Sequence, residues 1–183
     1  VSNSNLAASS LAINNDSALL NNVSQGTTAS GESRGGGIFI FTGTAANTTT
    51  LTEVTITGNQ ASTGTSQWGG GVAAIVGTVN AMFNRIAGNT AGTGGGSGIH
   101  NNGATVNAGN NWWGCNAGPG SAPCDRSINA SGTLTVAPHL TLRHTASPTT
   151  IVVGQTSTLT ADFLQNSTPA AVAVGNLDAM IGT

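Results

Sequence analysis

The side chains able to do chemistry are few and scattered. Asp16, Glu32, Glu53 and Asp125 are the acids of the first two-thirds of the chain. Cleaving a glycosidic bond takes two carboxylates held at a set separation. These four do not recur in register, and no pair shares a repeat position. Pectate-type lyase chemistry needs a base and calcium-binding acids, yet Lys is absent and acids are sparse. A three-His zinc site would need His100, His139 and His144 to converge. They stand 39 and 5 residues apart, on separate elements, so packing or solvent contact is their expected role. The glycine runs lack the Asp of a calcium-binding repeat. No catalytic residue, metal ligand or cofactor is expected.

Trp112 and Trp113 are the two candidates for a sugar-stacking platform. Neighbouring residues of a strand point to opposite faces, so a regular strand cannot turn both to one ligand. One Trp is expected in a core and the other over a junction, and Trp68 is expected to cap a loop. Cys115 and Cys124 bracket Asn116 to Pro123, a stretch whose Gly and Pro make a tight loop that can bring two sulfurs together. In an exported protein the pair reads as one local disulfide, in a cytosolic protein as two thiols, with a redox or metal role as the alternative. Asn15, Asn22, Asn47, Asn129 and Asn166 open Asn-x-Ser/Thr sequons, which matter only in a host that glycosylates exported proteins.

The elements that carry these residues are expected to be strands. Charged residues make up 5% of the 183 residues, with four Arg and a net charge of −2. Ser, Thr, Asn and Gly must therefore solvate the surface, and Gly, Thr and Asn are poor helix formers. The 38% apolar content argues against disorder. Nothing basic is present to meet nucleic acid or anionic lipid. No apolar run is long enough for a transmembrane helix, so no membrane insertion is expected. The chain begins at Val1 without Met and is expected to be a trimmed piece of a longer precursor.

A weak repeat runs through the first two-thirds. Asn21-Asn22 leads through polar residues to Gly35-Gly36-Gly37-Ile38. Gly58-Asn59 leads likewise to Gly69-Gly70-Gly71-Val72, and Gly88-Asn89 to Gly96-Ser97-Gly98-Ile99. Val54 to Asn59 parallels Asn84 to Asn89, with Ile56 and Ile86 inward and Thr55 and Arg85 outward. The same parity puts Asn84 inward, where it would have to share hydrogen bonds with other coils. The repeat drifts, because Asn59 to Asn89 is 30 residues and Asn89 to Asn110 is 21. Stacked coils place like residues about 4.8 Å apart, where Asn side chains can form amide ladders.

The segment Asn110-Asn111-Trp112-Trp113-Gly114-Cys115-Asn116-Ala117-Gly118-Pro119-Gly120, with the Gly-Asn and Gly-Gly-Gly-Ile units, resembles the right-handed parallel β-helix regions of bacterial secreted and surface proteins. The resemblance covers roughly residues 1 to 136. It implies that the Asn-Asn-Trp-Trp-Gly segment closes the last coils.

After Pro138, Leu140 to Leu142, Ser157 to Phe163, Ala171 to Val174 and Ala179 to Gly182 read as short strands. This stretch resembles the opening of a bacterial immunoglobulin-like repeat, with His139 where the family often has an aromatic residue. Residues 139 to 183 are too few for a sandwich of about 100 residues and seven strands. Half a sandwich needs a partner, packs on the β-helix, or belongs to a fragment.

The expected architecture is all-β: a right-handed parallel β-helix over 1–137, then a partial immunoglobulin-like β segment over 138–183. The expected function is that of a non-catalytic extracellular or cell-surface structural protein. It would be a stalk or self-assembling filament subunit, joined to copies of itself through the helix ends and by strand addition at the incomplete C-terminal segment. An adhesin presenting a flat face to glycans, and a divergent polysaccharide lyase or hydrolase, are the alternatives. The residues expected to carry the architecture are Asn59, Asn89, Asn110, Asn111, Trp112, Trp113 and Gly114.

Overall fold

The alternation of β-branched and polar residues sets where the chain extends, and Gly or Asn sets where it turns. A computed structural model describes residues 10–15, 17–26, 31–41, 46–92, 94–120 and 122–180. Its first pass contains β1 (Ser10–Asn14), β2 (Ala18–Leu20), β3 (Val23–Gln25), β4 (Glu32–Arg34) and β5 (Ile38–Phe41). The second contains β6 (Thr48–Thr52), β7 (Thr55–Thr57), β8 (Gln60–Ser62), β9 (Ser66–Trp68) and β10 (Val72–Val76). Then come β11 (Thr78–Met82), β12 (Arg85–Ala87) and the long strands β13 (Ile99–Asn107) and β14 (Ser127–Thr135). β15 (Leu140–Ser147) and β16 (Thr158–Asn166) follow. No α-helix occurs among the described residues; two one-turn 3-10 segments, Val174–Asn176 and Asp178–Met180, end the described chain.

Every pairing up to β14 is parallel. Strands of one pass lie in register on their counterparts in the next, in a sheet that curls around the core. One wall stacks β5, β10 and the first halves of β13 and β14. A second stacks β1, β6, β11 and the second halves of β13 and β14. β13 serves both walls because it bends at Gly103, at φ +124°, where a Cβ would meet the Ile75 carbonyl at 2.5 Å. A smaller sheet stacks β2, β7 and β12, and Trp112 bridges to Arg85 as its next layer.

Register turns alternation into a core. Leu11, Thr49, Val79, Val106 and Leu134 are matched across the second wall, as are Ile13, Leu51 and Ala81. Leu19, Ile56 and Ile86 are matched in the smaller sheet. Ile38, Leu51, Ile56, Val72, Val79, Ile86, Ile99, Val106 and Trp113 are fully buried in one cluster.

The segment after Pro138 does not form an immunoglobulin-like sandwich among the described residues. β15 and β16 form a two-stranded antiparallel sheet. Ala171 makes one isolated bridge, to Gln165, and 3-10 turns stand where strands over 171–174 and 179–182 are expected; Gly182 lies outside the described residues. Gly175 and Asn176 end the Ala171 to Val174 run, and burial of Val172 and Leu177 outweighs its local strand preference. Leu140, Val172 and Leu177 cluster with Phe83, Trp112, Phe163 and Met180. Through this cluster the C-terminal segment packs on the parallel stack.

Ile86 sits mid-stack in the smaller sheet, between Ile56 and Trp113, with no exposed surface. Ile86→Ala is expected to cost about 2–5 kcal/mol, read as a lower midpoint in denaturant unfolding. Leu159→Ser, at a side chain 80% exposed, is expected to leave the midpoint within experimental scatter.

Candidate functional site

Turning a stacked chain at a corner leaves backbone N–H groups facing the core, where each must find an acceptor. Two asparagine ladders supply those acceptors. In the first, the Asn22 side-chain amide and backbone N–H both donate to Asn59 Oδ1, at 2.9 and 3.0 Å. Asn59 does the same to Asn89 Oδ1, at 3.0 Å each. Asn89 donates its Nδ2 to Asp125 Oδ2 at 2.7 Å and its backbone N–H to the same carboxylate. In the second, Val54 N–H donates to Asn84 Oδ1 at 2.9 Å, and Asn84 donates both N–H and Nδ2 to Asn111 Oδ1 at 2.8 and 3.0 Å. Asn84 Nδ2 also reaches the Leu51 carbonyl, and Asn111 Nδ2 those of Ala81 and Ala108. Asn59, Asn84 and Asn111 have no exposed surface.

This geometry corrects the repeat spacing. Asn110 is not the next layer of Asn59 and Asn89. Asn111 continues the Asn84 corner, while Asp125, from outside the repeat, continues Asn59 and Asn89. The 30-residue step from Asn59 to Asn89 is therefore one layer of a single corner, and the 21-residue step to Asn110 crosses to the other. Asn110 has a left-handed backbone, φ +54°, as do Glu53 and Phe83 before the corresponding corner residues. Its Oδ1 accepts from Asn166 Nδ2 at 3.0 Å, tying in the C-terminal segment. Asp125 was legible only as a lone acid, because Cys124 precedes it where Gly precedes Asn59 and Asn89.

The ladder ends where the chain is covalently pinned. Cys115 and Cys124 form a disulfide with Cα atoms 5.1 Å apart. Asp125 N–H donates to the Trp113 carbonyl, and Trp113 is fully buried. Gly114 follows it with a left-handed backbone, φ +90°. Trp112 faces the other way and meets Phe163 edge-on at 4.9 Å. The disulfide loop also clasps the start of β15: Asn116 exchanges hydrogen bonds with the Leu142 backbone, and its carbonyl lies 3.1 Å from His139 Nε2. His144 is exposed on β15.

A second cluster lies on the outer side of the first wall. The Trp68 ring is stacked on His100 at 4.9 Å, 3° from parallel, with the Arg34 guanidinium 4.7 Å from its centroid. Arg34 also ion-pairs with Glu32 and lies 5.8 Å from Phe39. Beside this stack, Gln67, Trp68 and the Gly92, Gly94 and Gly95 backbone line a groove of about 270 Å³. Arg126 donates to the Gly92 and Gly95 carbonyls behind it. Arg34 and His100 engage Trp68 through its ring, so the groove is left mainly with backbone, Thr65, Ser66 and Gln67. Trp68 does not merely cap a loop; it covers His100.

The candidate chemical groups stay apart. Glu32 lies on β4, Glu53 at the Asn84-type corner and Asp125 at the end of the first ladder; Asp16 lies outside the described residues. Among the described residues no three His, Cys, Asp or Glu side chains come together as a metal would require. Of the sequon residues, Asn47 and Asn166 are buried and Asn22 is in the ladder, while Asn15 and Asn129 are exposed. No helix among the described residues is long and apolar enough to cross a membrane. No family model, curated protein or solved structure matches the chain.

Two buried groups titrate out of place. Burial pushes the Asp125 carboxyl above its usual 3.8, only partly offset by hydrogen bonds from the Asn89 side chain and the Asn89 and Gly88 backbone. Burial, then the charges of Arg126 and Arg34, hold His100 below its usual 6.5. Both His100 ring nitrogens are buried without a partner.

Asn84→Ala leaves Val54 N–H without its acceptor and takes the Nδ2 donor away from the Leu51 carbonyl and from Asn111 Oδ1. Each such orphan costs about 1–3 kcal/mol, so this exposed-face-neutral change is expected to unfold the stack at markedly lower urea. The pH profile carries two opposed contributions. The His100 contribution is complete above pH 6.5 and is lost as pH falls below it, because the unfolded chain then takes up the proton first. The Asp125 contribution is complete below pH 3.8 and is lost as pH rises through the raised folded value. His100→Phe, which keeps a ring on Trp68, is expected to flatten the acid decline below pH 6.5. Asp125→Asn is expected to raise the thermal midpoint at pH 7 and to remove the opposing slope above 3.8.

Proposed function

We propose that the chain is a non-catalytic, extracellular structural protein whose curled parallel stack is a right-handed β-helix of the bacterial surface-protein type. In this reading it is a stalk or filament subunit that joins copies of itself. The observation that carries the proposal is its open edges. Among the described residues β1 has one strand partner, β6, and β14 has one, β13. β15 and β16 pair with each other and with no third strand, apart from the single Gln165–Ala171 bridge. Natural proteins guard such edges with charges, Pro or a covering element. Here neither β1 nor β14 contains a charged residue or a Pro.

The C-terminal sheet adds a contact. Val152, Val153 and Leu159 are 67%, 106% and 80% exposed, in and beside the loop that joins β15 to β16. β15 and β16 are read as two strands of an immunoglobulin-like sandwich that a neighbouring subunit completes by strand addition. The disulfide supports an oxidising, extracellular setting. The enzyme alternatives find no support in acids as dispersed as Glu32 on β4, Glu53 at one corner and Asp125 at another. The glycan-platform alternative is weakened because Trp113 is in the core, Trp112 is packed on Phe163, and Trp68 is engaged by Arg34 and His100.

Sedimentation velocity over a wide concentration range, with negative-stain imaging, tests the proposal. Elongated assemblies that grow with concentration are expected, and Leu159→Lys is expected to shift half-assembly to at least about tenfold higher concentration, a loss near 1.4 kcal/mol. A monomer at every concentration overturns it.

A further inference from the structure

The second wall has an outer face unlike any other surface of the molecule. Its outward residues are those that alternate with the inward Leu11, Thr49, Val79, Val106 and Leu134, of which the middle three are fully buried. In register, one row reads Ser10, Thr48, Thr78, Thr105 and Thr133 across five strands. The next row reads Ala12, Thr50, Asn80, Asn107 and Thr135. Asn107 Nδ2 donates to Asn80 Oδ1 at 2.9 Å, so these two amides lie on the same exposed side and form their own short ladder. Thr105, Asn107, Thr133 and Thr135 are exposed.

The other outer faces are irregular. The first wall places Phe39, Ala73, His100 and Ile128 in its outward row, and Trp68 covers its His100. The smaller sheet places Ala18, Thr55 and Arg85 outward, with Trp112 next, and Thr55 Oγ1 is met by the Ala179 carbonyl of the C-terminal segment.

We propose that the Thr/Asn rows on the outer face of the second wall form a binding surface for crystalline water, an ice plane. Three properties carry this. The first is spacing. Parallel strands repeat at about 4.8 Å, and alternate residues along a strand at about 6.6 Å. That two-dimensional net lies close to the oxygen repeats on the prism plane of hexagonal ice, so hydroxyls in register can hold water at lattice positions. The second is stiffness. Thr is β-branched and restricted at χ1, and beneath it Leu51, Val79, Ala81 and Val106 are fully buried. Ordering the face on a lattice therefore costs little side-chain entropy. The third is charge. β1, β6, β11, β13 and β14 contain no Lys, Arg, Asp or Glu. Ice excludes ions, and a charged group on the face would keep a hydration shell that fits no lattice. An uncharged face thus complements an uncharged crystal. The methyl and hydroxyl of each Thr give the face apolar and hydrogen-bonding character in equal repeat.

The test is partition of the fluorescently labelled full chain into slowly growing ice, with recrystallisation of a frozen sucrose solution as a second readout. The wild type is expected to enter the ice and to slow grain growth. Thr105→Tyr, a bulge on the face, and Thr105→Lys, a charge on it, are each expected to lower the ice-bound fraction at least tenfold. Thr158→Tyr, on β16, is expected to bind as the wild type does. Thermal unfolding of each variant guards against misfolding. Exclusion of the wild type from ice overturns the proposal, as does undiminished binding by both Thr105→Tyr and Thr105→Lys. Retention on crystalline cellulose or chitin without partition into ice would assign the face to a polysaccharide surface and overturn it too. Sedimentation of the same samples reads self-assembly separately, so the two proposals fail independently.

Discussion

Everything in this molecule hangs on satisfying the backbone at the corners of a parallel stack. Within a wall the strands pair with the passes above and below. At a corner the chain leaves the sheet and turns its N–H groups toward the core. Asn is suited to that position because one amide is both donor and acceptor. Its oxygen takes the N–H of the preceding pass, and its NH₂ hands on to the next oxygen and to a carbonyl. A Leu at Asn84 would fill the same space and strand Val54 N–H. Buried polar networks of this kind are favourable only when every member is satisfied. The ladder is also directional. Donors point from Asn22 toward Asp125, and an ionised carboxylate cannot donate. Asp125 therefore ends the series chemically at the place where the Cys115–Cys124 bridge and Trp113 end it sterically.

Glycine does the complementary job at the third corner. A Cβ on Gly36 would lie 2.4 Å from the Gly70 carbonyl, and one on Gly70 2.3 Å from that of Thr90. Successive backbones approach too closely there for any side chain. Gly35 and Gly69 open the same corner with left-handed backbones, φ +61° and +65°. The Asn corners use an amide in most passes, with Val54 in place of one, and the Gly corner needs empty space.

Much of this was legible in the sequence, and the failures have physical causes. The Gly-Asn and Gly-Gly-Gly units announced stacked passes, because their chemistry is tied to corners and recurs whatever the loop lengths. The inward parity of Asn84 was legible too, as was the split of Trp112 from Trp113, since both follow from the two-residue period. The pairing of Asn89 with Asp125 was not, because an acid in a ladder position looks like any acid until a donor is seen beside it. The division of β13 between two walls was hidden for a similar reason: Gly103 is a bend only once neighbouring strands fix its surroundings. The first pass gave little signal before Asn22, since β1 and β2 hold their register through backbone pairing to β6 and β7, and the ladder begins only after β2. The C-terminal strands were over-read. Ala171 to Val174 has strand-like composition, but burying Val172 and Leu177 against Phe83 and Trp112 outweighed local preference.

The scarcity of charge, which reads at first as a compositional oddity, follows from the same architecture. A parallel stack in strict register sets each residue about 4.8 Å from its counterpart, so a charge repeated from pass to pass would lie beside its own kind, which is destabilising. Amides and hydroxyls repeat without that penalty and hydrogen-bond along the row, as Asn80 and Asn107 do. The Arg residues of the stack accordingly meet no second Arg in their rows: Arg34 is matched to Trp68, Arg85 to Thr55 and Trp112, and the Arg126 guanidinium donates to the Gly92 and Gly95 carbonyls. Register thus selects for Thr and Asn on the outer face for reasons of stability alone. What stability does not require is that, among the described residues, no element covers the two rows of the second wall. That face is solvated while the other two are covered by Trp68 or by the C-terminal segment, and a surface left both ordered and open is one on which a ligand with a matching repeat can act.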